Sequence, residues 1–142
     1  MVLLDTNVLS EFMRPRPAAQ VVAWLDAQTP GQVWISAISR AEIELGLALM
    51  PPGRRQQALS LAAHAMFEED FARRCLPFDE AAASRYARIV AECTRLGRPI
   101  SVEDAQIAAI ALAQKLVLAT RNGRDFEHIA GLRLHNPWAD LG

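Results

Sequence analysis

Four carboxylates in this sequence can be gathered at one edge of a parallel α/β sheet: Asp5, Glu42, Asp104 and Asp125. Val2 to Leu4 is short and continuously apolar, the pattern of a buried parallel strand. Asp5-Thr6-Asn7 follows at once, so Asp5 falls at the carboxyl end of that strand. Open α/β sheets bind ligands beyond their strands' carboxyl ends. Asp125 lies a few residues past the apolar segment Lys115–Thr120 and can reach the same rim. Glu42 and Asp104 stand in the early turns of two helical stretches.

Each acid also has a purely structural reading. Asp5 can cap the helix that follows. Ser39 and Glu42 have the spacing of a capping box, as do Ser101 and Asp104. Helix N-termini favour acids whatever their function. Glu42 is unusual in sharing a helical face with Leu45, Gly46 and Leu49. Singly, Glu42 and Asp104 read as caps. Packed together, the four acids would repel and raise one another's pKa. A divalent cation removes that cost, and an all-oxygen set suits Mg²⁺ or Mn²⁺ rather than zinc. Such a site holds a phosphate ester for in-line attack by activated water.

The elements that must position these acids alternate. Strands are predicted at Val2–Leu4, within "VWIS" from Val33, within Arg73–Asp79 up to Pro77, in "KLVLAT" and in "GLRLHN". Helices are predicted from Thr6 to Phe12, from about Pro17 or Ala18 through "VVAWLDA", and from Ala37 to Met50. Further helices run from Arg54 to about Asp70, from Asp79 as cap to about Arg95, and from Val102 to Gln114. "MRPRPAA", "QTPGQ", "PPG" and "LGRPIS" punctuate, and "PWADLG" is a tail. Strand–helix alternation of this kind predicts a parallel sheet of about five strands flanked by helices on both faces.

Composition sets the bounds. The chain has 142 residues, 51 % of them hydrophobic and 6 % aromatic, which predicts a single domain over 1–142 with an Ala/Leu/Val/Ile core. Cys75 and Cys93 form no CxxC pattern, and His64, His128 and His135 form no HxxxH pair. A disulfide scaffold and a zinc site are therefore not expected. No apolar run approaches the ~18 residues of a membrane span, and no secretory signal opens the chain. A soluble cytoplasmic protein is expected. The net charge of −1 supplies no global pull on nucleic acid or membrane. Fourteen of the fifteen basic residues are arginine, whose planar fork suits phosphate, although a GC-rich genome yields the same bias.

The blocks "LLDTNVLSEF", "ISAISRAEIELG", "ISVEDAQIAAIAL" and "LATRNGRDFEHI" resemble, in order, the four conserved blocks of the PIN domain, most closely in the VapC and FitB toxins of bacterial toxin–antitoxin pairs. The resemblance implies the PIN-like fold and Mg²⁺- or Mn²⁺-dependent cleavage of RNA leaving a 5′-phosphate. It places metal-binding and catalytic acids at Asp5, Glu42, Asp104 and Asp125, with supporting polar residues at Asn7, Ser39, Thr120 and Asn122. Asp5 and Asp104 are expected to ligate directly, Glu42 through water or as general base, and Asp125 around a second ion or behind the ligands. Arg121 and Arg124 are expected beside the RNA backbone, with Arg14 and Arg16 extending the track.

The resemblance further implies neutralisation by a small antitoxin and a homodimer, with DNA contacted only through the antitoxin. The apolar stretches Val21–Leu25 and Ala58–Phe67 are the interface candidates. A receiver domain and a haloacid-dehalogenase phosphatase fit poorly. Asn7 stands where the phosphatase needs its second acid, and Lys115 precedes its strand. The alternative of another class is a FitB-like subunit of a DNA-binding regulatory complex whose nuclease activity is incidental.

Overall fold

In the computed structural model, which describes residues 1–139, five strands make one sheet. They are β1 (Val2–Leu4), β2 (Val33–Ser36), β3 (Cys75–Leu76), β4 (Val117–Ala119) and β5 (Leu134–His135). Every pairing is parallel, in the order β3-β2-β1-β4-β5. Six α-helices lie between them: α1 (Thr6–Phe12), α2 (Ala19–Asp26), α3 (Ala37–Leu49), α4 (Arg54–Ala65), α5 (Glu80–Arg95) and α6 (Val102–Ala113). The last three residues of the "PWADLG" tail lie outside the described residues.

Alternation along β1 explains why both faces need helices. Successive strand residues point to opposite sides, and both Leu3 and Leu4 are completely buried. Leu3 joins a core with Leu118 and residues of α5 and α6. Leu4 joins the opposite core, with Val8, Val21, Trp24, Ile35 and Ile43 from α1, α2, β2 and α3.

The chain adds β2 and then β3 on one side of β1, then crosses to place β4 on the other. A crevice opens at such a reversal, outside the carboxyl ends of the two central strands. Here those ends carry Asp5 and Thr120. The Asp5 N–H donates to the Ala119 carbonyl at 2.9 Å, locking the two ends together.

Helix caps set where the turns begin. Asp5 Oδ1 accepts from the Thr6 N–H at 2.8 Å, so α1 starts with no loop after β1. Asp79 and Ser101 cap α5 and α6 as expected. Helix α3 is different. Its cap is Ser36, whose Oγ accepts from the Ser39 N–H at 3.1 Å, so the Ser39–Glu42 capping box does not form. The helix begins directly at the end of β2, which frees both side chains for other contacts. Helix α6 ends on Lys115 at φ 58°, with the Leu116 N–H bonded to the Ala111 carbonyl and the Lys115 N–H to that of Leu112. This left-handed close turns the chain straight from α6 into β4.

Three other expectations shift. The Leu45–Leu49 side of α3 is not a core stripe: Leu49 is 76 % exposed, and the buried side is Ser39 and Ile43. Val21 and Trp24 are spent in the chain's own core, as are Ala63, Met66 and Phe67, so those stretches offer only their outer sides, with Leu61 exposed and Leu59 half-buried. The outer strands are shorter than their apolar patterns, because the ladder closes only over Cys75–Leu76 and Leu134–His135. Past Ala65 the Ala/Leu helix continues as a π-helical turn over Met66–Asp70. Among the described residues no helix is long and apolar enough to cross a membrane.

Candidate active site

Asp5, Glu42 and Asp104 line one open cleft of about 490 Å³ at the strand reversal. Each comes from a different place: the end of β1, the second turn of α3 and the first turn of α6. Thr6, Asn7, Asn122, Arg14 and Arg121 share its walls.

Asp5 is the innermost acid, with 5 % of its surface exposed. Its Oδ2 accepts from the Thr120 hydroxyl at 2.7 Å and more distantly from Asn7 Nδ2 at 3.4 Å. Thr120 is itself held, since its Oγ1 accepts from the Asn122 N–H at 3.1 Å and Asn7 Nδ2 at 3.3 Å. Asn7 Oδ1 in turn accepts from the Arg121 N–H at 3.3 Å. These bonds lace the end of β1 to the end of β4 and fix the Asp5 carboxylate in place. Burial pushes the Asp5 pKa above the usual carboxylate value, against its bonds to Thr120 and Thr6, and the charges of Glu42 and Asp125 push the same way.

Glu42 Oε1 accepts from the Thr6 hydroxyl at 2.8 Å, and the Ser39 hydroxyl lies 2.8 Å from the same Thr6 oxygen. Residues of α1 and α3 thus steady Glu42 together. Asp104 is half-buried, and its pKa is raised first by burial, then by the charges of Asp5, Asp125 and Glu103, against a Ser101 bond. The acids therefore feel one another across the cleft.

Asp125 is exposed in the short 3₁₀ turn Gly123–Asp125, outside the cleft's lining but near enough for its charge to act on Asp5 and Asp104. Arg121 lines the cleft, whereas Arg124 and Arg16 do not; Arg14 does. Four wall residues were not anticipated from the sequence: Thr6, Ser10, Glu11 and Trp138. Thr6 sits between two singled-out neighbours, and Glu11 is a lone carboxylate one helical turn past Asn7; both were visible signals. Trp138 had none.

None of Asp5, Glu42 and Asp104 forms an ion pair with a basic side chain among the described residues. The donor set is hard oxygen throughout, which fits a divalent cation of the Mg²⁺ class. Among the described residues no three acidic, His or Cys groups already converge on a single metal position. The fit is thus to fewer direct ligands than three, or to side chains that turn inward.

A match to the PIN domain model spans residues 2–132, and the chain belongs to the PIN-domain family. It is 42 % identical to "Toxin FitB" of Neisseria gonorrhoeae over 140 residues, covering 99 % of this chain and 100 % of the relative. It is 41 % identical to "VapC ribonuclease Y4jK" of Sinorhizobium fredii over 138 residues, covering 97 % and 98 %. Among solved structures, FitAB bound to an IR36 DNA fragment contains a chain that superimposes with a TM-score of 0.90 at 40 % identity, covering 100 % of this chain and 99 % of that one. The five-stranded parallel PIN-like fold anticipated from the sequence is the fold observed.

Thr120→Val keeps shape and removes the hydroxyl that steadies Asp5. Outer partners of a metal-binding carboxylate typically contribute about 10–100-fold in affinity or activity. The expected result is a loss in that range of Mg²⁺ affinity, read as the Mg²⁺ concentration giving half the maximal rise in melting temperature.

Proposed function

We propose that this protein is a Mg²⁺- or Mn²⁺-dependent endoribonuclease and the toxin of a type II toxin–antitoxin pair. One observation carries the reading: Asp5, Glu42 and Asp104, far apart in sequence, line a single cleft at the strand reversal without basic ion-pair partners among the described residues. The relatives named as a toxin and as a ribonuclease support it.

Asp5 and Asp104 are assigned as the direct ligands, which agrees with the absence of a preformed set of three among the described residues. When bound, the cation supplies Lewis acidity toward a phosphoryl oxygen and makes water easier to deprotonate. Glu42, steadied by the Thr6 hydroxyl, takes the proton of the attacking water. Thr120 and Asn7 hold Asp5 in one orientation, so little of its freedom is lost when the site fills. Asp125 contributes negative charge from outside the lining. Ser39 acts through Thr6, and Asn122 through the Thr120 oxygen.

The partner is a small antitoxin. An apolar groove of about 980 Å³, walled by Met13, Ile43, Leu47, Met50 and Leu59, shares Thr6, Ser10, Arg14 and Glu42 with the acid cleft. A chain laid in it would end among the acids. Homodimerisation uses the exposed leucines Leu45 and Leu49 of α3. DNA is contacted only through the antitoxin. The solved FitAB complex on DNA favours a second reading, in which regulation is the main role and cleavage incidental.

The test is expression with and without the antitoxin, followed by mapping of RNA 5′ ends. Growth arrest with new 5′-phosphate ends that vanish in Asp5→Asn is the expected result. Normal growth, with loss only of promoter binding by the complex, supports the regulatory reading instead.

A further inference from the structure

Glu11 is a buried carboxylate that the proposed chemistry leaves without a task. It is 5 % exposed, yet it faces the acid cleft's wall, where a further negative charge is costly. Its Oε2 accepts from the Ala18 N–H at 2.8 Å, which pins the far end of the Met13–Ala18 bend. Its Oε1 accepts from Arg14 Nη1 at 3.1 Å, while Arg14 itself is 64 % exposed. Both partners, and the charge of Arg121, hold the Glu11 carboxyl below its usual pKa, with the Ala18 bond the largest cause. On the same cleft's wall the Arg121 guanidinium lies 4.9 Å from the Trp138 ring centroid. Trp138 is held in turn, its N–H donating to Asn136 Oδ1 and its carbonyl accepting from Gln20 Nε2.

An exposed arginine left to itself samples many rotamers, and ordering it on binding costs affinity. Here Glu11 takes one edge of Arg14 and Trp138 takes one face of Arg121, so the remaining donors of both forks stay free at the cleft. Planar guanidinium groups in fixed positions suit phosphate oxygens. We propose that Glu11 is a positioning residue: it holds Arg14 at the acid cleft so that Arg14, together with the Trp138-stacked Arg121, grips the phosphates flanking the scissile bond of a single-stranded RNA. This rests on the endoribonuclease reading of the same cleft.

Charge alone and positioning make opposite forecasts for Glu11→Gln. Removing an acid beside an acidic cleft should tighten RNA binding if only net charge matters. Positioning demands the reverse. The measurements are KM and kcat for cleavage of a short single-stranded RNA, and binding of that RNA in EDTA across a salt series. Glu11→Gln should raise KM and weaken binding about tenfold, the worth of one charge-assisted hydrogen bond, with kcat little changed. Arg14→Ala should do the same and lower the salt slope by about one. The double variant should lose no more than Arg14→Ala alone.

Unchanged or tighter binding by Glu11→Gln, or losses that simply add in the double variant, overturns the inference while wild-type cleavage keeps the endoribonuclease reading intact. Absence of both RNA binding and cleavage in the wild type overturns both. Should Glu11→Gln fail to fold, Arg14→Lys decides. A point charge in place of the fork must raise KM, and an unchanged KM overturns the proposal.

Discussion

Asp5→Asn is expected to lower Mg²⁺-dependent RNA cleavage at least about 100-fold while leaving the fold intact. Loss of a mere outer partner already costs about 10–100-fold, and Asp5 stands one step further in. The asparagine keeps an oxygen for the Thr6 N–H cap, and it meets the Thr120 hydroxyl with an amide of nearly the same shape. A mismatched hydrogen bond costs about 1–3 kcal/mol, and relief from a desolvated charge offsets part of that. Cleavage rates and circular dichroism on the same preparations check both halves. Wild-type cleavage by Asp5→Asn would sink the assignment.

The same variant tests the electrostatics through pH. Asp5 and Asp104 both have folded pKa values raised above the ordinary carboxylate value. Without metal, their contribution to stability is fully present below about pH 4, the ordinary value. It is lost as pH rises through their raised folded values, because the unfolded chain gives up the protons first. Asp5→Asn lacks one of the two groups, so in EDTA its stability should fall less across that window. Saturating Mg²⁺ should remove most of the wild type's fall. Melting curves in EDTA and in Mg²⁺ from pH 4 upward read this directly, and parallel EDTA profiles for the two proteins would contradict it.

Phe126→Ala is the substitution expected to cost most stability. Phe126 is 1 % exposed and among the largest fully buried side chains. It packs in the core shared by β1, β4, α5 and α6. Truncating a buried phenylalanine costs about 3–5 kcal/mol, from lost transfer energy and the cavity left behind. For a domain of this size that is a drop in melting temperature of roughly 10 °C or more. Phe126 also anchors the turn that carries Asp125, its N–H bonded to the Gly123 carbonyl at 3.0 Å. Denaturant titration measures the stability loss. Cleavage at a temperature where the variant is folded then reports how far the placement of the acids on β1, α6 and this turn depends on that core.

Much of this architecture could be read from local pattern. Apolar runs ending in polar triplets marked β1 and β4, and their alternation with helices implied a parallel sheet. Asp5 was legible because its strand was. Period alone did less well on α3, where it grouped Leu45 and Leu49 as inward. Period groups residues onto one face but does not say which face meets the core, and here Ile43, packed with Leu4, Val8 and Ile35, is the side turned inward. The roles of Glu11 and Trp138 were hidden for a different reason, although Glu11 itself stood in view one helical turn past Asn7. Their partners, the Ala18 N–H and the Arg121 guanidinium, lie beyond a proline-rich bend or past the end of a neighbouring strand. No sequence period records such contacts.

The strand reversal has a consequence in time as well as in space. Asp5 is made long before Asp104 and the β4 strand, and the cleft between them closes only when β4 pairs beside β1. A nascent or truncated chain that stops short of Thr120 therefore carries Asp5, Glu42 and Asp104 but no assembled cleft. No cleft can assemble until synthesis has passed β4.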